Sequence, residues 1–114
     1  MGLLTREMIL AVDDLPHEDV DVPEWGGTVR VQALNAQAGQ RFAGLMAQAS
    51  DDDQVRVRLL SVSLVDDAGG LLFGLADVEA LARKNFGVVR KLSDIAFRLN
   101  GYGQRLNDAV ENLT

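Results

Sequence analysis

The sequence predicts an α+β fold, a mainly helical small domain with an N-terminal β-hairpin, and three observations carry that reading. Two short tracts, "DVDVPEW" and "TVRVQAL", alternate apolar and polar residues on either side of Gly26-Gly27, the pattern of two strands joined by a tight turn over about 19–34. Downstream, apolar residues recur at helical rather than strand spacing. The 114 residues contain no cysteine, no internal repeat and no low-complexity linker, so one domain spanning 1–114 is expected. A domain of that size hides roughly 65% of the surface its unfolded chain exposes, which leaves little room for a deep cleft.

Taken in order, "REMILAV" predicts a first short helix capped by Thr5 and stopped before Asp13, Asp14, Leu15 and Pro16. In the hairpin, Gly26-Gly27 is expected to supply the positive φ of a two-residue loop. Pro23 lacks an N–H, so the first strand should lie at a sheet edge or be bulged so that Trp25 changes face. Trp25 beside a turn is expected to fold over its own sheet or cap a small core. Asn35 then caps a helix carrying Ala38, Phe42, Leu45, Met46 and Ala49, in which Gly39 and Gly44 cost about 1 kcal/mol each relative to Ala.

The tract "DDDQVRVRLLSVSLV" admits two periods. Val55, Val57 and Leu59 alternate like a strand, while Val55, Leu59, Val62 and Ser63 trace a helical face. A helix is the reading adopted, because Asp51, Asp52 and Asp53 suit the positive end of its dipole. "DDAGG" at 66–70 is a turn, "LLFG" a brief extended piece, and "LADVEALARK" a short helix. Asn85 caps the clearest helix, with Val88, Val89, Leu92, Ile95, Ala96 and Leu99 on one stripe. Arg90, Asp94 and Arg98 form an i,i+4 ladder on another face, and Asn100-Gly101 ends the helix. The tail 103–114 reads as a frayed helix, or as one that forms only against a partner.

A net charge of −6 disfavours nonspecific nucleic-acid binding. The charge is uneven: residues 1–53 hold ten acids against three bases, whereas 83–105 hold six bases against Asp94 alone. Solvated faces or an intramolecular attraction account for this asymmetry, and self-association, with copies meeting head to tail, is the sharper alternative. No apolar run is long enough to span a bilayer, and "MGLLTREMILAV", interrupted by Arg6 and Glu7, does not read as a secretory signal.

Catalytic and cofactor chemistry finds no support. The single histidine, His17, has no serine or second ligand at a telling spacing. "DVDV" at 19–22 matches a phosphotransfer signature only superficially, since no buried strand precedes it. An EF-hand starting at Asp51 would place Arg56 where a glycine must turn. The glycine pair opens into a strand, whereas phosphate-cradling loops open into a helix. Neither catalytic residues, metal ligands nor cofactor-binding residues are therefore expected.

Three tracts in order, "ILAVDDLPHEDVDVPEWGGTVRVQAL", "SLVDDAGGLLFGLADVEALARK" and "VVRKLSDIAFRLNG", resemble the tail assembly chaperones of long-tailed bacteriophages and prophages. "VPEWGG" followed by an alternating strand is the most specific of these. The resemblance implies a non-enzymatic protein that coats the long, helix-rich tape measure protein, keeps it soluble, and helps recruit tail-tube subunits. It also implies a longer, frameshifted form that contacts the tail-tube protein, a location in the host cytoplasm, and absence from the mature virion. The sequence departs from the usual pattern at Gly74, where a Ser or Thr cap is common, and at Asn85, where a serine often stands.

A client of repeated amphipathic helices calls for apolar stripes with charged edges. Leu71, Leu72 and Phe73, with Arg90, Asp94, Arg98 and Tyr102, are the expected partner-binding residues. The competing reading is a small DNA-binding phage or bacterial regulator using the basic 83–105 region, which would show a steep salt dependence.

Overall fold

Four helices start where a polar side chain satisfies an orphan backbone N–H. Thr5 accepts from Met8 N at the start of α1 (Arg6–Ala11), and Asn35 from Ala38 N at the start of α2 (Ala36–Met46). Asp51 accepts from Gln54 N for α3 (Asp52–Ser61), and Asn85 from Val88 N for α5 (Phe86–Leu99). The short α4 (Val78–Leu81) follows a 3₁₀ turn, Leu75–Asp77. There the Gly74 N–H donates to the Asp77 carboxylate at 2.7 Å, so the turn is closed without the Ser or Thr cap that Gly74 replaces. The computed structural model describes residues 2–101.

The sheet is antiparallel in the order β1-β2-β3, from β1 (His17–Val22), β2 (Gly27–Gln32) and β3 (Leu64–Val65). The register pairs Val22 with Gly27 and His17 with Gln32. The hairpin forms as expected and β1 is an edge strand, but its connection differs from the two-glycine loop. Pro23–Trp25 makes a 3₁₀ turn, Gly26 alone takes a positive φ of 77°, and Gly27 is already in the strand. Proline at the first position of the turn favours this, because its fixed φ already suits helical geometry.

The sheet has one covered face. Val20, Val22, Val31 and Leu64 turn inward, while Asp19, Asp21, Thr28 and Arg30 lie on the outer face. Two cross-strand pairs stitch that outer face: Arg30 donates to both Asp19 oxygens at 2.7 and 3.1 Å, and Thr28 to Asp21 at 2.7 Å. Arg30 thereby holds the Asp19 carboxyl below its ordinary range, first through the hydrogen bond and then through its charge.

Against the inner face lies α5, with α3 packed along it. Leu59, Leu60, Leu64, Leu92 and Val31 are fully buried, with Val88, Val89, Ala96 and Phe97 joining them from α5. The predicted stripe of α5 is thus the core stripe, with Ile95 and Leu99 at its margin. Trp25 packs, partly buried, against this core. The helical reading of 53–65 holds as far as Ser61; Leu64 and Val65 then leave the helix to pair with Val31 and Arg30. Asn100 closes α5 from its far end. Its side-chain oxygen accepts from Leu34 N at 2.8 Å and its amide donates to the Ala96 carbonyl at 2.8 Å.

The N-terminal arm stands apart from this core. Residues 2–14 are all exposed, α1 has no buried residue, and its apolar side chains touch none of the core. Among the described residues no helix is long and apolar enough to cross a membrane.

Candidate partner-binding surface

The charged ladder of α5 sits on the helix face opposite its buried stripe, as its spacing requires. Its members do not pair with one another. Asp94 binds Arg56 of α3, and Arg98 binds Glu18 of β1 at 2.9 Å. Arg56 also donates to Ser93 Oγ at 3.0 Å, and its guanidinium lies 5.7 Å from the Phe97 ring centre. These tertiary pairs displace the expected i,i+4 contacts, because Arg56, largely buried, needs a carboxylate more than the exposed Arg90 or Arg98 does. Arg90 is left facing the Phe86 ring at 5.9 Å.

Leu71, Leu72 and Phe73 lie at the opposite edge of the sheet. Leu71 bridges to Val65 and Leu72 N donates to the Leu64 carbonyl at 3.1 Å, so the segment extends the sheet beyond β3. Leu71 and Leu72 are exposed, while Phe73 is half-buried against the core. Since Arg98 is anchored to β1, three strand spacings, about 14 Å, separate its anchor from Leu71. The expected residues therefore occupy two patches, one on α5 and one at the β3 edge. Tyr102 lies outside the described residues.

Arg90 belongs to a feature that sequence spacing did not reveal. An open groove of about 240 Å³ runs between α3 and the start of α5, floored by Val57, Ala82 and Val89 and rimmed by Lys84, Phe86 and Arg90. Phe86, at the first position of α5, is 64% exposed. A second hollow shares Asp53, Val57 and Ala82 with the first and continues between α3 and α4 to Asp51 and Glu79. Charged side chains of both signs line each hollow: Arg56, Lys84 and Arg90 with Asp53 in the first, and Asp51, Asp53 and Glu79 with Arg58 in the second. An aromatic immediately after the Asn85 cap is the only local signal, since a first-turn residue has no preceding turn to cover it.

His17 is exposed at the start of β1 opposite Gln32, and among the described residues no three His, Cys, Asp or Glu side chains are grouped closely enough to hold a metal ion. No family model matches the chain, and no curated protein sequence does. Among solved structures, that of the bacteriophage HK97 tail assembly chaperone is similar, with a TM-score of 0.55 and 23% identity, covering 75% of this chain and 85% of that one. The fold is shared. At that level it agrees with what the three sequence tracts imply, and the α+β arrangement of a short first helix, an N-terminal hairpin and further helices after it is common ground between sequence and structure.

Proposed function

We propose that this chain is a non-enzymatic tail assembly chaperone that binds and solubilises a phage tape measure protein and helps recruit tail-tube subunits during tail morphogenesis. The observation that carries this reading is the likeness to the HK97 tail assembly chaperone over three quarters of the chain. It is supported by the concentration of exposed apolar side chains in a protein of this size: Leu71 and Leu72 at the β3 edge, Phe86 on the groove rim, and six more in the N-terminal arm. A tape measure built of repeated amphipathic helices is a client for such surfaces, its apolar stripe lying on theirs and its charges meeting the α5 rim. Contact with the tail-tube protein belongs to a longer, frameshifted form, and the chaperone acts in the host cytoplasm and is left out of the finished virion.

Within the described part of the basic 83–105 region, Asp94 interrupts the α5 face and Arg98 is bound to Glu18, which favours the chaperone reading over a phosphate-backbone one. The deciding experiment is co-expression with the tape measure protein of the same phage or prophage. The chaperone reading predicts that the tape measure becomes soluble and co-purifies with the chain, and that Leu72→Asp and Arg90→Glu each weaken recovery while leaving the domain folded. A tape measure that stays insoluble with the wild-type chain would sink the reading. Unchanged recovery with both variants would remove these two patches from it.

A further inference from the structure

Of the five asparagines in the chain, only Asn100 stands directly before a glycine. That pair has a chemistry of its own. The Gly101 backbone nitrogen can attack the side-chain carbonyl carbon of Asn100, because glycine has no side chain to obstruct the approach and its backbone turns freely. The bond from Gly101 N to Asn100 Cγ forms, the Cγ–Nδ2 bond breaks, and the proton of the Gly101 amide leaves with Nδ2 as ammonia. Water then opens the cyclic imide at either carbonyl, giving aspartate or isoaspartate at position 100. Ammonia is released and one water is consumed, so no oxidant, reductant or second protein enters the balance.

The fold holds each reacting atom back. Gly101 N donates to the Arg98 carbonyl at 3.0 Å, so the attacking nitrogen is engaged. The leaving nitrogen, Nδ2, donates to the Ala96 carbonyl at 2.8 Å, and Oδ1 accepts from Leu34 N at 2.8 Å. Ring closure also needs rotation about the Asn100 Cα–C bond, away from the ψ of 3° that this cap adopts. Asn100 is half-buried and Gly101 exposed, so water reaches the pair as soon as the last turn lifts.

We propose that Asn100-Gly101 is a self-modification site gated by the fold. It is silent while the end of α5 is tied to the β2–α2 connection, and it converts to aspartate or isoaspartate when that end opens. The rate in the folded protein is the free-chain rate multiplied by the fraction of time the turn is open. Both products favour further opening. Aspartate keeps the bond from Leu34 N but loses the donor to Ala96, and it sets a negative charge at the negative end of the helix dipole. Isoaspartate routes the main chain through the former side chain, which lengthens it by a carbon and carries the Gly101 N–H away from the Arg98 carbonyl. Since the ammonia is lost, each molecule keeps a permanent record of the time its α5 end has spent open. This holds whatever client the protein serves, and its test is separate from that of the chaperone reading.

The full-length chain is incubated at mildly alkaline pH below its Tm and, in parallel, in unfolding urea, while mass spectrometry of the tryptic peptide 99–105 follows the exchange of amide for acid. In urea Asn100 is expected to convert ahead of Asn35 and Asn85, and Gly101→Ala to slow it at least about tenfold. In the folded wild type the conversion is expected to run at least about tenfold slower than in urea. Leu99→Ala, which removes packing from the last turn, should speed the folded reaction and leave the urea rate unchanged. Converted chains, separated by ion exchange, should melt below unconverted ones. Equal rates in folded and unfolded chains, an Asn100 that lags the other asparagines in urea, or converted chains with an unchanged Tm would each overturn the proposal.

Discussion

Replacing Asn100 with alanine tests how the last turn of α5 is tied to the rest of the fold. The side chain makes two hydrogen bonds of 2.8 Å, accepting from Leu34 N in the β2–α2 connection and donating to the Ala96 carbonyl. A neutral bond contributes about 1 kcal/mol net, and a partly buried N–H left without a partner costs about 1–3 kcal/mol. The two effects overlap, so Asn100→Ala should destabilise by about 1.5–3 kcal/mol. For a domain near this length that lowers Tm by about 6–12 °C, readable by circular dichroism or calorimetry. Asn100→Asp separates the two bonds. Its carboxylate still accepts from Leu34 but cannot donate to Ala96, and it sets a negative charge at the negative end of the helix dipole. That raises the folded-state pKa of the introduced acid. The deficit is therefore complete above the raised value and shrinks as pH falls through it, when the protonated acid regains a donor. A Tm for Asn100→Ala within about 2 °C of wild type would refute the assignment of this residue as the tie.

Three further outcomes follow from the same structure. Leu92→Ala empties a fully buried position between α5 and the core and should cost about 2–5 kcal/mol in urea unfolding, whereas Leu10→Ala in the exposed arm should change stability by less than about 0.5 kcal/mol. Gly26→Ala forces a side chain into a left-handed position and should cost about 1–2 kcal/mol, while Gly27→Ala, in extended backbone with open space around it, should be near neutral. Because Arg30 lowers the Asp19 pKa, the pair's contribution is fully present above the ordinary aspartate range and is lost as pH falls through the lowered value. An NMR titration should show Asp19 returning towards its ordinary pKa in Arg30→Ala.

Much of the fold was legible because it is decided locally. Thr5, Asn35 and Asn85 each announce a helix by a cap whose bond closes within three residues, and all three bonds are present, while Asp51, legible only as an acid suited to the helix dipole, is the cap of α3. What escaped depends on distant partners. Val62 and Ser63 continue the helical phase of α3, yet Leu64 and Val65 become a strand because β2 offers them a ladder about thirty residues earlier. Gly26-Gly27 reads as a two-residue turn until Pro23 shifts the turn one step earlier. The ladder Arg90, Asp94 and Arg98 was placed on the correct face, but Arg56 and Glu18, which take two of its charges, are far away in sequence. The groove needs three helices to meet, and no single stretch carries its pattern.

The free edge of β1 has a consequence of its own. An unpaired strand edge is a template on which another chain can add a strand, the first step towards aggregation. Here the template carries Glu18, Asp19 and Asp21, and Pro23 lies just past its end. Two such edges meeting would bring carboxylates together across the seam, so at neutral pH the edge repels its own likeness. A protein that exposes this much greasy surface can thus remain dispersed, and acidifying the solution is expected to make the β1 edge sticky first.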